Sequence, residues 1–221
     1  VDDYLFPDCV EKMVRVGETD EQIGIVSAYR VAGNVVTNMG LPIEQNVFDG
    51  AEILKQQILR KLHVVSSSPN TGRYKRSVFM ELKGFNNKYD HSDTELAFRL
   101  LDWHKLGFVH SVLTKSGREK GGGEYYSIIH GFKILEYLDF GYKKINNYKS
   151  ICLDKDEMDY LRRYYAYEIA SFLVTKFAYF EWEDIKRMIG NIPEDIKKEL
   201  KKIFIRGFPK YIKKYFASLR N

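Results

Sequence analysis

The chain has 221 residues and a formal net charge of +5, and at this length it can bury a real core, either as one large domain or as a core domain with extensions. No run reaches the ~18 apolar residues that a membrane span needs, and Val1-Asp2-Asp3 does not begin a signal peptide. Cys9 and Cys152 are the only cysteines, so the sequence implies no disulfide framework, and we expect a cytoplasmic protein without membrane contact.

Charge is unevenly distributed along the chain. Residues 1–50 carry three Lys or Arg against nine Asp or Glu, residues 51–150 carry 17 against 10, and residues 151–221 carry 15 against 11. The first fifty residues therefore form an acidic N-terminal extension, and positive charge is concentrated in the next hundred. Such an asymmetry is expected of a protein that binds nucleic acid.

The acidic extension contains one segment with a structural pattern. Residues 22–36 combine β-branched with small residues and fit either a helix or two short strands. We favour a helix that packs into the core, with its small residues on one face.

Helical spacing is clearer from residue 51 onward. Apolar residues at positions 51, 54, 58 and 62 predict a first helix over 51–62, and the Ser, Pro, Asn and Gly residues of 66–72 predict a loop. Apolar residues at 78, 79 and 82 are compatible with a second helix within 73–83. Residues 84–91 would then form the turn before a third helix.

The strongest pattern lies between residues 93 and 138. Apolar residues at three- and four-residue spacing predict a helix over about 93–106, and Gly107 suits the left-handed residue that ends it. β-Branched and aromatic residues then predict strands over 108–114 and 124–129. The glycine-rich segment 115–123 between them predicts a cationic hairpin tip, and a further helix begins at Phe132.

A family resemblance is carried by two strings of this region. Residues 99–109 (Arg-Leu-Leu-Asp-Trp-His-Lys-Leu-Gly-Phe-Val) and 125–135 (Tyr-Tyr-Ser-Ile-Ile-His-Gly-Phe-Lys-Ile-Leu) resemble the recognition helix and wing of MarR-like and ArsR-like winged helix-turn-helix transcription regulators. The resemblance covers about residues 51–138. It implies a mainly α fold with a small β-hairpin wing, in which a winged-helix domain over 51–140 is followed by a helical C-terminal region over 141–221. The implied function is binding of double-stranded DNA in transcription regulation.

The predicted DNA interface combines phosphate contacts from cations with groove contacts from the recognition helix. Thr94 and Arg99 are the predicted groove contacts. The complete predicted set is Arg73, Lys75, Arg76, Lys88, Thr94, Arg99, Lys115, Arg118 and Lys120. Acidic residues at the start of the same helix, Asp93 and Glu95, would repel phosphate. They favour an alternative in which the winged helix binds a protein instead of DNA.

The C-terminal region is helical and aromatic. An apolar stripe predicts a long helix over 156–180, and shorter helices follow over 182–189, 193–204 and 209–219. These helices either pack on their own chain or form an interface between copies. Because winged-helix regulators often dimerise through helices outside the DNA-reading core, the resemblance implies a homodimer.

A third alternative is an enzyme. The segment 78–83 also fits a β-strand that carries Glu81 and Lys83, a half-motif of many Mg²⁺-dependent nucleases, with Asp49 or Asp90 as the further carboxylate. So short a motif occurs often by chance, and the five histidines show no metal-ligand spacing with the cysteines. We therefore predict no catalytic residue, no metal and no cofactor.

Overall fold

The computed structural model describes residues 4–65, 72–116 and 128–205. The chain forms two compact units. The first unit comprises residues 1–123 and 144–152, and the second comprises residues 124–143 and 153–221.

The first unit is built on a six-stranded mixed sheet. Its strands are β1 (Tyr4–Leu5), β2 (Ile23–Ala32), β3 (Val35–Thr37), β4 (Val47–Phe48), β5 (Gly72–Tyr74) and β6 (Lys105–Ser116). The two long strands, β2 and β6, lie side by side in parallel, with Val26 opposite Gly107. β1 and β4 pair antiparallel with the two ends of β6, and β3 and β5 pair antiparallel with the two ends of β2.

Helices cover both faces of this sheet. They are α1 (Cys9–Gly17), α2 (Gly50–Ile58), α3 (Arg76–Glu81) and α4 (Ser92–Leu101). α1 packs on one face, where Met13 shares a core with Val26 and Leu113. Side chains alternate along a strand, so Ser27 faces the opposite side, where its hydroxyl donates to the Val64 carbonyl beyond α2 at 2.6 Å. Because β2 is covered on both faces, every residue from 23 to 28 is buried.

The contact between α2 and α4 depends on a glycine. A Cβ on Gly50 would lie 1.8 Å from the backbone oxygen of His104 and 2.5 Å from that of Leu101. Asp49 caps the same helix end, since its side chain accepts a hydrogen bond from the Glu52 amide at 2.9 Å. The first turn of α2 is therefore seated directly against the end of α4.

The fold class expected from the sequence is wrong. A sheet of six strands takes the place of the winged helix-turn-helix core with its small hairpin wing. Residues 1–50, expected to be an extension, supply four of those strands. Residues 22–36 form β2 and β3 instead of the favoured helix, because a strand buried on both faces has the same continuous apolar pattern as a buried helix.

Several predictions of individual helices and strands are confirmed, and others are corrected. α2 confirms the helix expected from residue 51, although it ends at Ile58 instead of residue 62, and α3 confirms a helix within 73–83. α4 ends at Leu101 and not near residue 106, since Lys105 already begins β6. β6 contains the strand expected over 108–114, whereas the strand expected over 124–129 falls mostly outside the described residues and is helical at 128–129.

All regular secondary structure in the described residues of the second unit is helical. Its helices are α5 (Phe132–Leu138), which continues into a π-helical turn at Asp139–Lys143, α6 (Lys155–Ala178), α7 (Trp182–Asn191) and α8, residues 194–205. A capping box begins α6: the Asp154 side chain accepts from the Glu157 amide at 2.8 Å, and the Glu157 carboxylate accepts from the Asp154 amide at 3.0 Å.

The predicted C-terminal helices over 156–180, 182–189 and 193–204 are confirmed by α6, α7 and α8. The helix expected over 209–219 lies outside the described residues. Within the part of the chain that the structure describes, no helix combines the length and the apolar character that a membrane crossing requires.

Candidate functional site

The helix expected to read DNA faces the interior of the first unit. Eight of the ten residues of α4 are buried, and Thr94 is only 4% exposed. A recognition helix must present its side chains to the groove. α4 therefore has no face left for base contacts.

Arg99, the second predicted groove contact, is engaged within the fold. Its guanidinium pairs with the Glu95 carboxylate through Nε and Nη2 at 2.9 and 2.8 Å. It also donates to the carbonyl oxygens of Leu82 and Gly84 at 2.6 and 2.8 Å. The side chain thus ties α4 to the end of α3.

Arg73 and Lys75, at the β5–α3 junction, lie against the acidic segment of residues 17–21. The Arg73 guanidinium lies over Gly17, where an added Cβ would meet its Nη1 at 2.1 Å, so this cation sits at the C-terminus of α1. The Lys75 ammonium donates to the Glu21 carbonyl at 2.7 Å. Arg76 and Lys88 are exposed, and the Lys88 ammonium stands 5.2 Å from the centre of the Tyr89 ring.

The remaining predicted cations lie elsewhere. Lys115 is exposed near the far end of β6, with its ammonium 5.7 Å from the centre of the Tyr4 ring. Arg73 pairs with Val26 and Lys115 pairs with Val31, so five residues of β2, about 17 Å of strand, lie between the two positions. Arg118 and Lys120 lie outside the described residues. The described cations therefore do not form one continuous face.

The strand needed for the nuclease alternative is absent from this segment, which the structure describes in full. Glu81 is the last residue of α3, and Lys83 follows in the left-handed region with a φ of 60°. The backbone places the two side chains on a helix end and its turn, outside the sheet.

A partly buried ion cluster marks the second unit. We use this name for His130, Lys176, Glu181, Asp184 and Arg187. The Asp184 carboxylate accepts from His130 Nδ1 at 2.8 Å, pairs with the Lys176 ammonium at 3.0 Å, and binds the Arg187 guanidinium. Lys176, only 3% exposed, also donates to the Glu181 carboxylate.

The electrostatics of the ion cluster favour its charged forms. Burial alone would raise the pKa of Asp184, but hydrogen bonds from Lys176, His130 and Arg187 outweigh it and lower this pKa to about 2. Burial alone would lower the pKa of Lys176, and its bonds to Glu181 and Asp184 raise it instead. Both groups therefore remain ionised near neutral pH.

Three members of the ion cluster have metal-ligand chemistry. Ligand atoms of His130, Glu181 and Asp184 all lie within 4.8 Å of one another. However, the Lys176 ammonium is bonded to both carboxylates and takes the position that a metal cation would need. A metal would have to displace a buried lysine, so the donor set fits a structural ion cluster better than a metal centre.

A groove of about 580 Å³ lies beside the ion cluster. Its apolar wall consists of Ile128, Ile129, Ile134, Phe172 and Tyr179. Its polar lining consists of Glu168, Ser171, Thr175, Lys176 and Glu181. A volume of this size falls within the range of about 300–1,000 Å³ that small-molecule sites occupy.

Three exposed rings form what we call the aromatic corner, where α6 ends and α7 begins. Phe177, Phe180 and Trp182 are 59%, 71% and 48% exposed. The Phe177 and Trp182 ring centres lie 5.3 Å apart at an interplanar angle of 83°, and those of Phe180 and Trp182 lie 6.5 Å apart. Contiguous exposed apolar surface of this kind commonly marks an interaction site.

The backbone conformation at one residue of the aromatic corner is unusual for a large side chain. Phe180 has a φ of 57°, in the left-handed region, where a helix end usually has glycine. A large side chain there costs about 1–2 kcal/mol, and the exposed Phe180 ring does not recover this free energy by burial. The conformation closes the end of α6, since the Glu181 amide donates to the Lys176 carbonyl at 3.0 Å and the Phe180 amide donates to the Phe177 carbonyl at 3.2 Å.

The sequence interpretation missed this surface because it assigned Phe177 and Phe180 to a continuous apolar stripe. The available signal was local density: Phe177, Tyr179, Phe180 and Trp182 fall within six residues at a helix end. A helix cannot turn that many rings toward one core, so some of them had to be exposed.

Comparison with known proteins adds no relative to this picture. No protein-family model matches the chain, and no curated protein matches it either.

Proposed function

We propose that this protein is a protein-interaction module that associates through the aromatic corner, and that its partner is a second copy of the chain. The observation that carries the proposal is the group of three exposed rings, Phe177, Phe180 and Trp182. Aromatic side chains dominate the buried centres of protein interfaces.

The size of the aromatic corner suits the centre of an interface. A fully buried aromatic side chain removes about 150–250 Å² from water, so the exposed fractions of the three rings amount to about 400 Å² per copy. A standard interface buries about 800 Å² on each partner. The rings would supply roughly half of that area, and polar residues around them would supply the rim.

The charges next to the aromatic corner support a two-fold arrangement. Glu183 and Lys186 on α7 are strongly exposed and pair with each other at 3.2 Å. In a two-fold interface the same patch faces itself, so a patch with one acid and one base can satisfy its own copy. Glu183 of one copy would face Lys186 of the other.

Sedimentation velocity over a wide concentration range tests this proposal. We expect reversible dimerisation of the natural chain and its loss in the double variant Phe177→Ser, Phe180→Ser. Val35→Ser, which removes an exposed apolar side chain from β3 of the first unit, is the matched control and should dimerise normally. A monomer at every concentration would refute the second copy as partner.

Charge-reversal variants test the two-fold arrangement by the same measurement. Glu183→Lys and Lys186→Glu should each weaken the dimer by placing like charges opposite one another. The double reversal should restore it, because the two charges then only exchange places. If the double variant is as weak as the single ones, the two-fold arrangement is wrong.

Duplex DNA binding is a second candidate, favoured by the surplus of positive charge over residues 51–150. The exposed cations Arg76, Lys88 and Lys115 are the contacts we propose for it, with phosphate contacts in place of base reading. Affinity for random duplex should fall steeply with salt, and Arg76→Glu should reduce the salt slope by about one unit. No binding at low salt would exclude this candidate, and transcription regulation with it.

A cytoplasmic location remains part of the proposal. Cys9 and Cys152 are both free thiols, and Cys152 is exposed. An exposed free thiol suits a reducing compartment.

A further inference from the structure

The groove beside the ion cluster extends along one face of α6. Glu168, Phe172, Thr175 and Tyr179 follow one another at three- and four-residue spacing, so they share a helix face. From Glu168 to Tyr179 this face is about 16 Å long. Ile128 and Ile129 contribute to the opposing wall, and both are partly exposed to solvent. The groove is therefore an elongated apolar surface that is open to a ligand.

The charges of the groove are not balanced. Lys176 is bonded to Glu181 and Asp184, which neutralise it, and it has little exposed surface to offer an incoming anion. Glu168, at the other end of the groove, is exposed and forms no salt bridge within residues 4–65, 72–116 and 128–205. The one uncompensated charge that lines the groove is thus a carboxylate.

We propose that this groove binds an apolar organic cation, a molecule with an aromatic or aliphatic body and one amine or quaternary ammonium group. The body lies between Ile129 and the Phe172 and Tyr179 rings, and the cation lies at the Glu168 end. A neutral or anionic ligand would cover the Glu168 carboxylate without compensating it, which is unfavourable.

The groove uses other residues than the aromatic corner, so this inference does not rest on the dimer. Two isosteric probes of opposite charge test it: tetraphenylphosphonium and tetraphenylborate, each titrated into the full chain by calorimetry. We expect the phosphonium to bind and the borate to bind at least about tenfold more weakly, which corresponds to about 1.4 kcal/mol. Equal binding of the two probes, tighter binding of the borate, or no binding of the phosphonium would overturn the proposal.

Variants locate the probe in the groove. Glu168→Gln should weaken phosphonium binding about fivefold while leaving the fold intact, because Glu168 is exposed. Ser171→Trp should fill the groove and abolish binding. Glu194→Gln, an exposed change on α8 outside the groove, is the control and should bind normally. An unchanged affinity in Glu168→Gln or Ser171→Trp would place the probe elsewhere and overturn the proposal.

Discussion

Lys176 and Asp184 form a buried ion pair, with the ammonium nitrogen 3.0 Å from the carboxylate oxygen and both side chains at least nine-tenths buried. The pair joins the last turn of α6 to the first turn of α7, and its two members flank the aromatic corner in sequence. Burial makes both charges dependent on their partners, because an uncompensated buried charge costs several kcal/mol.

Removal of one member of this pair should destabilise the protein strongly. We expect Asp184→Asn to lower the free energy of unfolding by about 3 kcal/mol, since Lys176 and Arg187 lose their shared partner. Lys197→Met, which breaks an exposed pair with Glu194 on α8, should change it by less than about 0.5 kcal/mol. Urea denaturation measures both, and equal effects would contradict the assigned burial.

Acid should remove the contribution of Asp184. Its pKa is lowered to about 2 in the folded state from 3.8, so the folded state binds fewer protons than the unfolded state in this window. The stabilisation is present above about pH 4 and is lost as pH falls through 2. The difference in unfolding free energy between the natural chain and Asp184→Asn should therefore shrink steadily between pH 5 and 2. A constant difference would refute the lowered pKa.

Asp93 should show the opposite pH dependence. Burial raises its pKa to about 6, so the folded state favours the neutral carboxyl, and stability is lost as pH rises through this value. In the natural chain the Asp93 carboxylate accepts a hydrogen bond from the Thr94 amide at 2.7 Å. Asp93→Asn keeps a side-chain oxygen that can accept this bond and removes the charge. We expect it to stabilise the protein by about 1–3 kcal/mol at pH 8 and to have little effect at pH 4.

Thermal unfolding of Asp93→Asn at the two pH values measures this difference. Glu44→Gln is the control, because it removes a carboxylate from an exposed position and should change stability by less than about 0.5 kcal/mol. A loss of stability in Asp93→Asn at pH 8 would mean that the Asp93 charge is favourable and that its pKa is not raised.

The sequence predicted helices far better than the sheet, for a physical reason. α6 is long, and its capping box, Asp154 with Glu157, is local in sequence, so its position could be predicted without the rest of the fold. β2 and β6 are parallel neighbours separated by about 80 residues, and no local pattern encodes such a pairing. Residues 99–109, the first of the two strings that carried the resemblance, are the end of a buried helix and the start of a central strand.

The candidate sites were harder to predict because they depend on exposure. Arg99 was assigned to DNA as a cation on a helix, yet only the folded chain brings the Leu82 and Gly84 carbonyls to it. Phe180 was placed in an apolar stripe that either packs on its own chain or forms an interface between copies, and in the folded chain its ring is exposed. Residue type predicts the chemistry of a side chain, whereas tertiary packing decides whether that chemistry faces solvent.

Arg99 should therefore act on stability. We expect Arg99→Met to lower the free energy of unfolding by about 2–3 kcal/mol, because it leaves Glu95 and two carbonyl groups without their charged partner. Arg15→Met, which removes an exposed pair with Glu11 on α1, should have almost no effect. If Arg99→Met were as stable as the natural chain but lost DNA affinity, Arg99 would be a DNA contact after all.

Gly50 in the first unit is tightly packed, whereas Gly190 in the second unit has open space around it. Alanine substitutions at these two glycines therefore test the packing of each unit separately. Gly50→Ala places a Cβ 1.8 Å from the His104 backbone oxygen, so α2 must move away from α4, and we expect a loss of about 3 kcal/mol or more. Gly190 lies within α7, and a Cβ there meets nothing within 4 Å. Gly190→Ala should stabilise the protein by about 0.5–1 kcal/mol through its higher helix propensity. Because both variants add the same methyl group, denaturation curves that shift in the same direction would contradict the close approach of α2 to α4 or the open surface of α7.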